Sequence, residues 1–123
     1  MAEILHKEVS YAVVGAAMEV HRELGPGFLE TVYQKALACE LARCGIPIEE
    51  QKVLPVYYKD HLVGDYKADF VIDGKIIVEL KSVSALNAAH EAQALHCLAA
   101  TKMQLAILIN FGASSLQTKR IVR

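Results

Sequence analysis

An α/β fold of the α+β kind, with helices first and a mixed sheet after them, is predicted by three features of this 123-residue chain. Apolar residues recur at three- and four-residue spacing up to Leu24 and again from Leu29 to Leu41, the period of amphipathic helices. Apolar, β-branched and aromatic runs then follow between Val53 and Lys81, and an Asp73-Gly74 pair separates two of them as a hairpin turn would. The expected order is ααβββαβ(β), in a single domain over 1–123.

The first helix is expected from about Glu3 to Leu24, with Leu5, Val9, Ala12, Val13, Ala16, Ala17, Val20 and Leu24 on its apolar face, and Gly25-Pro26 stops it. The second begins after Gly27, carries Leu29, Val32, Ala36, Leu37 and Leu41, and ends at Gly45, where Pro47 prevents resumption. Val53, Leu54, Val56, Tyr57 and Tyr58 mark the first strand, and Lys59-Asp60-His61 reads as the turn into a second, Leu62 to Ile72. The third strand, Lys75 to Lys81, holds Ile76, Ile77 and Val78, a run apolar on both faces as a central strand requires. Alanine-rich sequence from Asn87 or Ala88 to Thr101 forms the third helix, which crosses over to a buried strand at Leu105 to Ile109, parallel to the third. Gln117 to Val122 supplies a last edge strand, kept soluble by Lys119, Arg120 and Arg123.

A chain of this length buries about two-thirds of its unfolded surface and needs no covalent staple. With 54% hydrophobic and 22% charged residues it is globular rather than disordered. Its net charge of -1 gives no global pull toward nucleic acid, so any such role rests on local charge and metal. Cys39, Cys44 and Cys97 are odd in number and lack CxxC spacing, which argues against a disulfide framework and a closed zinc site and suits a reducing cytoplasm. Glu3, Lys7 and Glu8 interrupt the start, so no signal-peptide core is expected, and no uncharged apolar run reaches the roughly 18 residues of a membrane span.

Asp69 closes one apolar run and Glu79, Leu80 and Lys81 close the next, so two carboxylates on adjacent strands can hold a hard divalent cation, with Lys81 on the same strand face as Glu79. Register decides whether they meet. With a two-residue turn and Ile72 opposite Lys75, Asp69 would face Val78 and point away from Glu79. A three-residue connection through Lys75, or a bulge, puts Asp69 opposite Glu79, and that odd loop or bulge is the expectation. Read without a metal, Asp69 and Lys81 are a strand-end charge pair and Glu79 a solvated residue, but carboxylates beside a strand buried on both sides are costly unless paired or metal-bound.

Gly27-Phe28-Leu29-Glu30-Thr31-Val32-Tyr33 matches GxxExxY, and Lys67-Ala68-Asp69-Phe70 followed by Glu79-Leu80-Lys81 looks like a D…ExK core. With His90-Glu91-Ala92-Gln93 and Leu105 to Gly112 in the same order, the chain from roughly Val9 to Phe111 resembles the GxxExxY proteins of the PD-(D/E)xK nuclease superfamily. The resemblance implies a restriction-endonuclease-like core, a mixed central sheet flanked by helices, and magnesium- or manganese-dependent phosphodiester cleavage of nucleic acid. It makes Asp69, Glu79, Glu30 and the Leu80 backbone carbonyl metal ligands, and Lys81 the partner of the attacking water. Gln93 matches the glutamine found after the core in RecB-like members. Glu30 and Tyr33 share a helix face, so the glutamate could approach the sheet while the tyrosine packs or donates a hydrogen bond beside it; Glu30 near the third helical position would also stabilise a positive helix N-terminus unaided.

Two departures stand out. RecB-like members often place tyrosine four residues after that glutamine, where this chain has Cys97, and Lys67 stands where many relatives have arginine, keeping a charge for substrate but losing bidentate phosphate geometry. His90 and His96, six apart, fall on opposing sides of a helix and make a poor ligand pair, while His6, His21 and His61 read as surface residues. Scattered lysines and arginines form no basic stripe, so a homodimer or protein partner would have to supply further substrate-binding surface. The leading expectation is a metal-dependent nuclease. Its alternatives are a catalytically weak or inactive adaptor binding nucleic acid or protein, and a hydrolase of small phosphorylated molecules with a closed pocket.

Overall fold

A computed structural model describes residues 6–123. The expected start of the first helix at about Glu3 lies outside the described residues, and the helix, α1, runs Lys7–Leu24. It is followed by α2 (Glu30–Arg43), β1 (Ile48–Tyr58), β2 (His61–Ile72), β3 (Ile76–Lys81), α3 (Ala88–Thr101), β4 (Leu105–Asn110) and β5 (Gln117–Val122). Every expected element is present in the expected order. β1 begins earlier than Val53 because Ile48, Glu49 and Glu50 pair with Ile72, Val71 and Phe70. Cross-strand partners on a buried neighbour override the weak strand preference of the two glutamates.

The five strands form one mixed sheet in the order β1-β2-β3-β4-β5. Only β3 and β4 run parallel, joined through α3, and the other neighbours are antiparallel. β3 and β4 therefore lie inside the sheet, which explains their nearly uninterrupted apolar sequence. On one side α1 and α2 bury Val13, Ala17, Tyr33 and Leu37 against Phe70, Val78, Leu80 and Ile107. On the other, α3 packs Ala94, Cys97 and Leu98 against Ala68, Ile77 and Leu108.

The β2–β3 connection has three residues: Ile72 faces Ile76, Val71 faces Ile77 and Phe70 faces Val78. Asp73 and Gly74 both take positive φ, 53° and 65°, and the Lys75 N–H donates to the Ile72 carbonyl at 2.9 Å. Carried one step further, this register puts Asp69 opposite Glu79, as expected.

A second irregularity lies in β2. Phe70 and Ile72 face the α1/α2 side, whereas Tyr66 and Ala68, at the same parity, face α3 together with Val71. The alternation is thus reset between Ala68 and Phe70. At that point Gln51 and Asp69 drop out of the β1–β2 ladder, and Gln51 adopts a φ of 47°. Asp69 sits on the break.

Candidate active site

The C-terminal end of β3 gathers most of the residues singled out in the sequence. Because β2–β3 pairing stops at Phe70 and Val78, the next inward amide of β3, Leu80 N–H, has no backbone partner on β2 and donates instead to Asp69 Oδ2 at 2.8 Å. Asp69 Oδ1 accepts from Gln51 Nε2 at 3.2 Å, and Gln51 Nε2 also reaches Gln34 Oε1 of α2 at 2.6 Å. Asp69 is thereby fixed from both flanking strands. In an extended strand the N–H and C=O of one residue point the same way, so the Leu80 carbonyl faces the same gap.

Glu79 and Lys81 project together from β3 toward α3 and line a small hollow of about 10 Å³ with Tyr66, His90 and Gln93. The Tyr66 hydroxyl donates to Glu79 Oε1 at 2.6 Å, and Lys81 Nζ donates to Gln93 Oε1 at 3.4 Å. Burial pushes the Glu79 carboxyl up to about 7 despite the Tyr66 hydrogen bond; the Asp69 charge adds to the rise, and Lys81 and the Asp69 backbone oppose it. Burial first, then the hydrogen bond and charge of Glu79, keep the Tyr66 hydroxyl protonated far above the ordinary phenol range. Burial likewise pushes up the neighbouring Cys97 thiol.

Glu30 stands apart from this group. It is the first residue of α2 rather than about the third, is exposed, and among the described residues forms no hydrogen bond or ion pair. Tyr33 is fully buried: its hydroxyl donates to the Gly25 carbonyl at 2.6 Å and accepts from Phe28 N–H at 3.2 Å, and its ring stacks on Phe111 at 4.5 Å. Ser82 Oγ donates to the Phe28 carbonyl at 2.6 Å, which ties the α1–α2 turn to the end of β3. The GxxExxY segment thus lies beside the end of β3, and Glu30 makes no contact with Asp69 or Glu79 among the hydrogen bonds and ion pairs of the described residues. Lys67 is exposed on β2 opposite Val53.

The loop after Lys81 is clasped by a buried amide. Asn110 Oδ1 accepts from Val83 N–H and Gly112 N–H, both at 3.0 Å, while its Nδ2 donates to the Val83 carbonyl and Gln117 Oε1, both at 2.9 Å. Gly112 lies so close to this loop that a Cβ there would stand 2.4 Å from Val83 N and O.

Among the described residues no three His, Cys, Asp or Glu side chains form a cluster able to hold a metal. The oxygen donors at this end of β3 are the Asp69 and Glu79 carboxylates and the Leu80 carbonyl. All are oxygens, and burial together with the Asp69 charge raises the Glu79 carboxyl despite the Lys81 ammonium beside it. That donor set fits a hard divalent ion, since magnesium binds through one or two carboxylates and keeps several waters. Sequence reasoning missed Tyr66 and His90. The Asn87-to-His90 capping spacing was a usable signal for the second.

The sheet order, with its parallel β3–α3–β4 crossover and a carboxylate pair beside a lysine at one strand end, defines a nuclease-type core. Residues 7–121 match the family model of the PD-(D/E)XK nuclease superfamily, and the chain belongs to that superfamily. No curated protein matches it. Among solved structures, an alkaline exonuclease (LHK-Exo) from Laribacter hongkongensis aligns with 100% of this chain and 72% of its own, at 13% identity and a TM-score of 0.46. Among the described residues, no helix is long and apolar enough to cross a membrane.

Proposed function

We propose that this protein is a magnesium- or manganese-dependent nuclease that hydrolyses phosphodiester bonds, a member of the GxxExxY branch of its superfamily. The observation that carries this reading is the adjacency of Asp69, tied to Leu80 N–H, and Glu79, whose buried carboxyl is raised to about 7 two residues before Lys81. Asp69, Glu79 and the Leu80 carbonyl would hold the ion, with Glu30 reaching it only through a movement of the α2 N-terminus. When bound, the ion supplies Lewis acidity and lowers the pKa of a coordinated water. Lys81 orients the attacking water and stabilises the charge that gathers on the phosphate oxygens, an ammonium effect larger in the transition state than in the bound diester. Gln93 holds Lys81 in place and Tyr66 fixes the Glu79 rotamer.

The hollow, of about 10 Å³, has room for about one water and cannot enclose a small molecule, which favours a polymer lying across the site over an enclosed metabolite. Lys67, exposed on β2, is available to a backbone phosphate. The test is cleavage of single-stranded, branched and duplex substrates in manganese by the parent, Glu79→Ala and Lys81→Ala. The parent should cleave at least one of them, and each variant should lose about a hundredfold or more. Equal activity in all three proteins would refute the assignment. The separation of Glu30 favours one second reading, an adaptor that binds nucleic acid or protein without cleavage; calorimetry that finds no manganese uptake but retained partner binding would select it.

A further inference from the structure

The polar atoms of the hollow divide into those already engaged and those still open. The Tyr66 hydroxyl donates to Glu79, and the Gln93 oxygen accepts from Lys81. The ring of His90, half-buried at the third position of α3, is engaged on one side only: its Nδ1 accepts from Asn87 N–H at 3.2 Å, while the His90 backbone N–H donates to Asn87 Oδ1 at 3.1 Å. This reciprocal cap fixes the ring and its tautomer. With Nδ1 as acceptor, the neutral imidazole carries its proton on Nε2, the ring nitrogen that the cap leaves open on a side chain lining the hollow. Three donors therefore remain beside Glu79: Lys81 Nζ, the Gln93 amide nitrogen and His90 Nε2–H. Donors without a matching acceptor suit an anion.

We infer that His90 is a phosphate-binding residue, donating Nε2–H to a non-bridging oxygen of the phosphodiester while Asn87 holds the ring. This rests on the nuclease reading above. The substrate class it names is a nucleic-acid strand with one phosphate at the mouth of the small hollow between β3 and α3.

The decisive variant is His90→Glu, because glutamate at the third helical position preserves the reciprocal cap while putting no donor in place of the ring. His90→Ala, which removes the donor without adding a charge, is made alongside in case the first does not fold. Each is compared with the parent for melting temperature and for KM and kcat on a fluorescein-labelled single-stranded oligonucleotide in manganese. Where no cleavage occurs, the Kd of the same oligonucleotide in magnesium is read by anisotropy. A lost hydrogen bond to a charged group should raise KM or Kd about tenfold for His90→Ala, and further for His90→Glu, with the melting temperature of His90→Glu retained. A parent that cleaves, together with folded variants whose KM stays within twofold, overturns the role of His90 and leaves the nuclease reading standing. A parent that neither cleaves nor binds the oligonucleotide overturns both.

Discussion

The close packing of Gly112 against the loop that follows Lys81 makes a sharp prediction about one methyl group. A Cβ at this position would lie 2.4 Å from both Val83 N and Val83 O and 2.6 Å from the Ser82 carbonyl carbon. These are backbone atoms, and Val83 is held on its other side by both ends of the Asn110 amide, so it cannot rotate away as a side chain would. Gly112→Ala should therefore cost about 3 kcal/mol, the upper part of the range for overpacking a rigid site. For a domain of this size that is a fall of roughly 10 °C in melting temperature. The control is Gly15→Ala on α1, where a Cβ meets nothing within 4 Å and the backbone is helical. There the same change should stabilise by about 0.5–1 kcal/mol. Thermal unfolding followed by circular dichroism gives both numbers in one buffer. A melting temperature for Gly112→Ala equal to or above the parent's would refute the close-approach argument. Because Ser82 directly follows Lys81, whatever displacement the protein tolerates should also appear as lost cleavage.

Other outcomes follow from the same contacts. Tyr33→Phe keeps the stack on Phe111 but removes the hydroxyl shared by Gly25 and Phe28, and should cost about 1–3 kcal/mol in denaturant unfolding. A folded carboxyl raised to about 7 from 4.5 contributes stability that is complete below about pH 4.5 and lost as pH rises through 7. In EDTA the parent should thus lose roughly 3 kcal/mol between pH 4.5 and 8 that Glu79→Gln does not lose, and parallel profiles for the two proteins would contradict it.

Much of this arrangement was legible in the letters. The periods of the helices, the Asp73-Gly74 turn and the two-sided apolar run of β3 determined the element order, because each reports a local preference that the sheet reinforces. The odd loop length followed from requiring Asp69 to meet Glu79. The reset of alternation at Asp69 was not legible, since a positive φ at Gln51 has no compositional mark such as glycine would leave. It also hid Tyr66: counted by twos from Asp69, that tyrosine belongs on the opposite face, and only the break turns it toward Glu79. Comparing His90 only with His96 obscured its relation to Asn87, which the capping pattern carries. The position of Glu30 depends on how the α2 N-terminus docks, a tertiary matter on which the GxxExxY spacing is silent.

The reset at Asp69 also sets how freely this protein can diverge. Beyond it, residues 52–68 of the β1–β2 ribbon pair with one another and not with β3, and a register shift at Val56 and Tyr57 already absorbs an unmatched residue. Insertions or deletions near Lys59 would lengthen or shorten the ribbon without rotating Asp69, whereas a single residue added between Ala68 and Phe70 would turn the carboxylate out of the sheet gap. Evolutionary drift in length is therefore cheap at the tip and forbidden at the base, so one scaffold can acquire new reach while its acidic centre stays fixed.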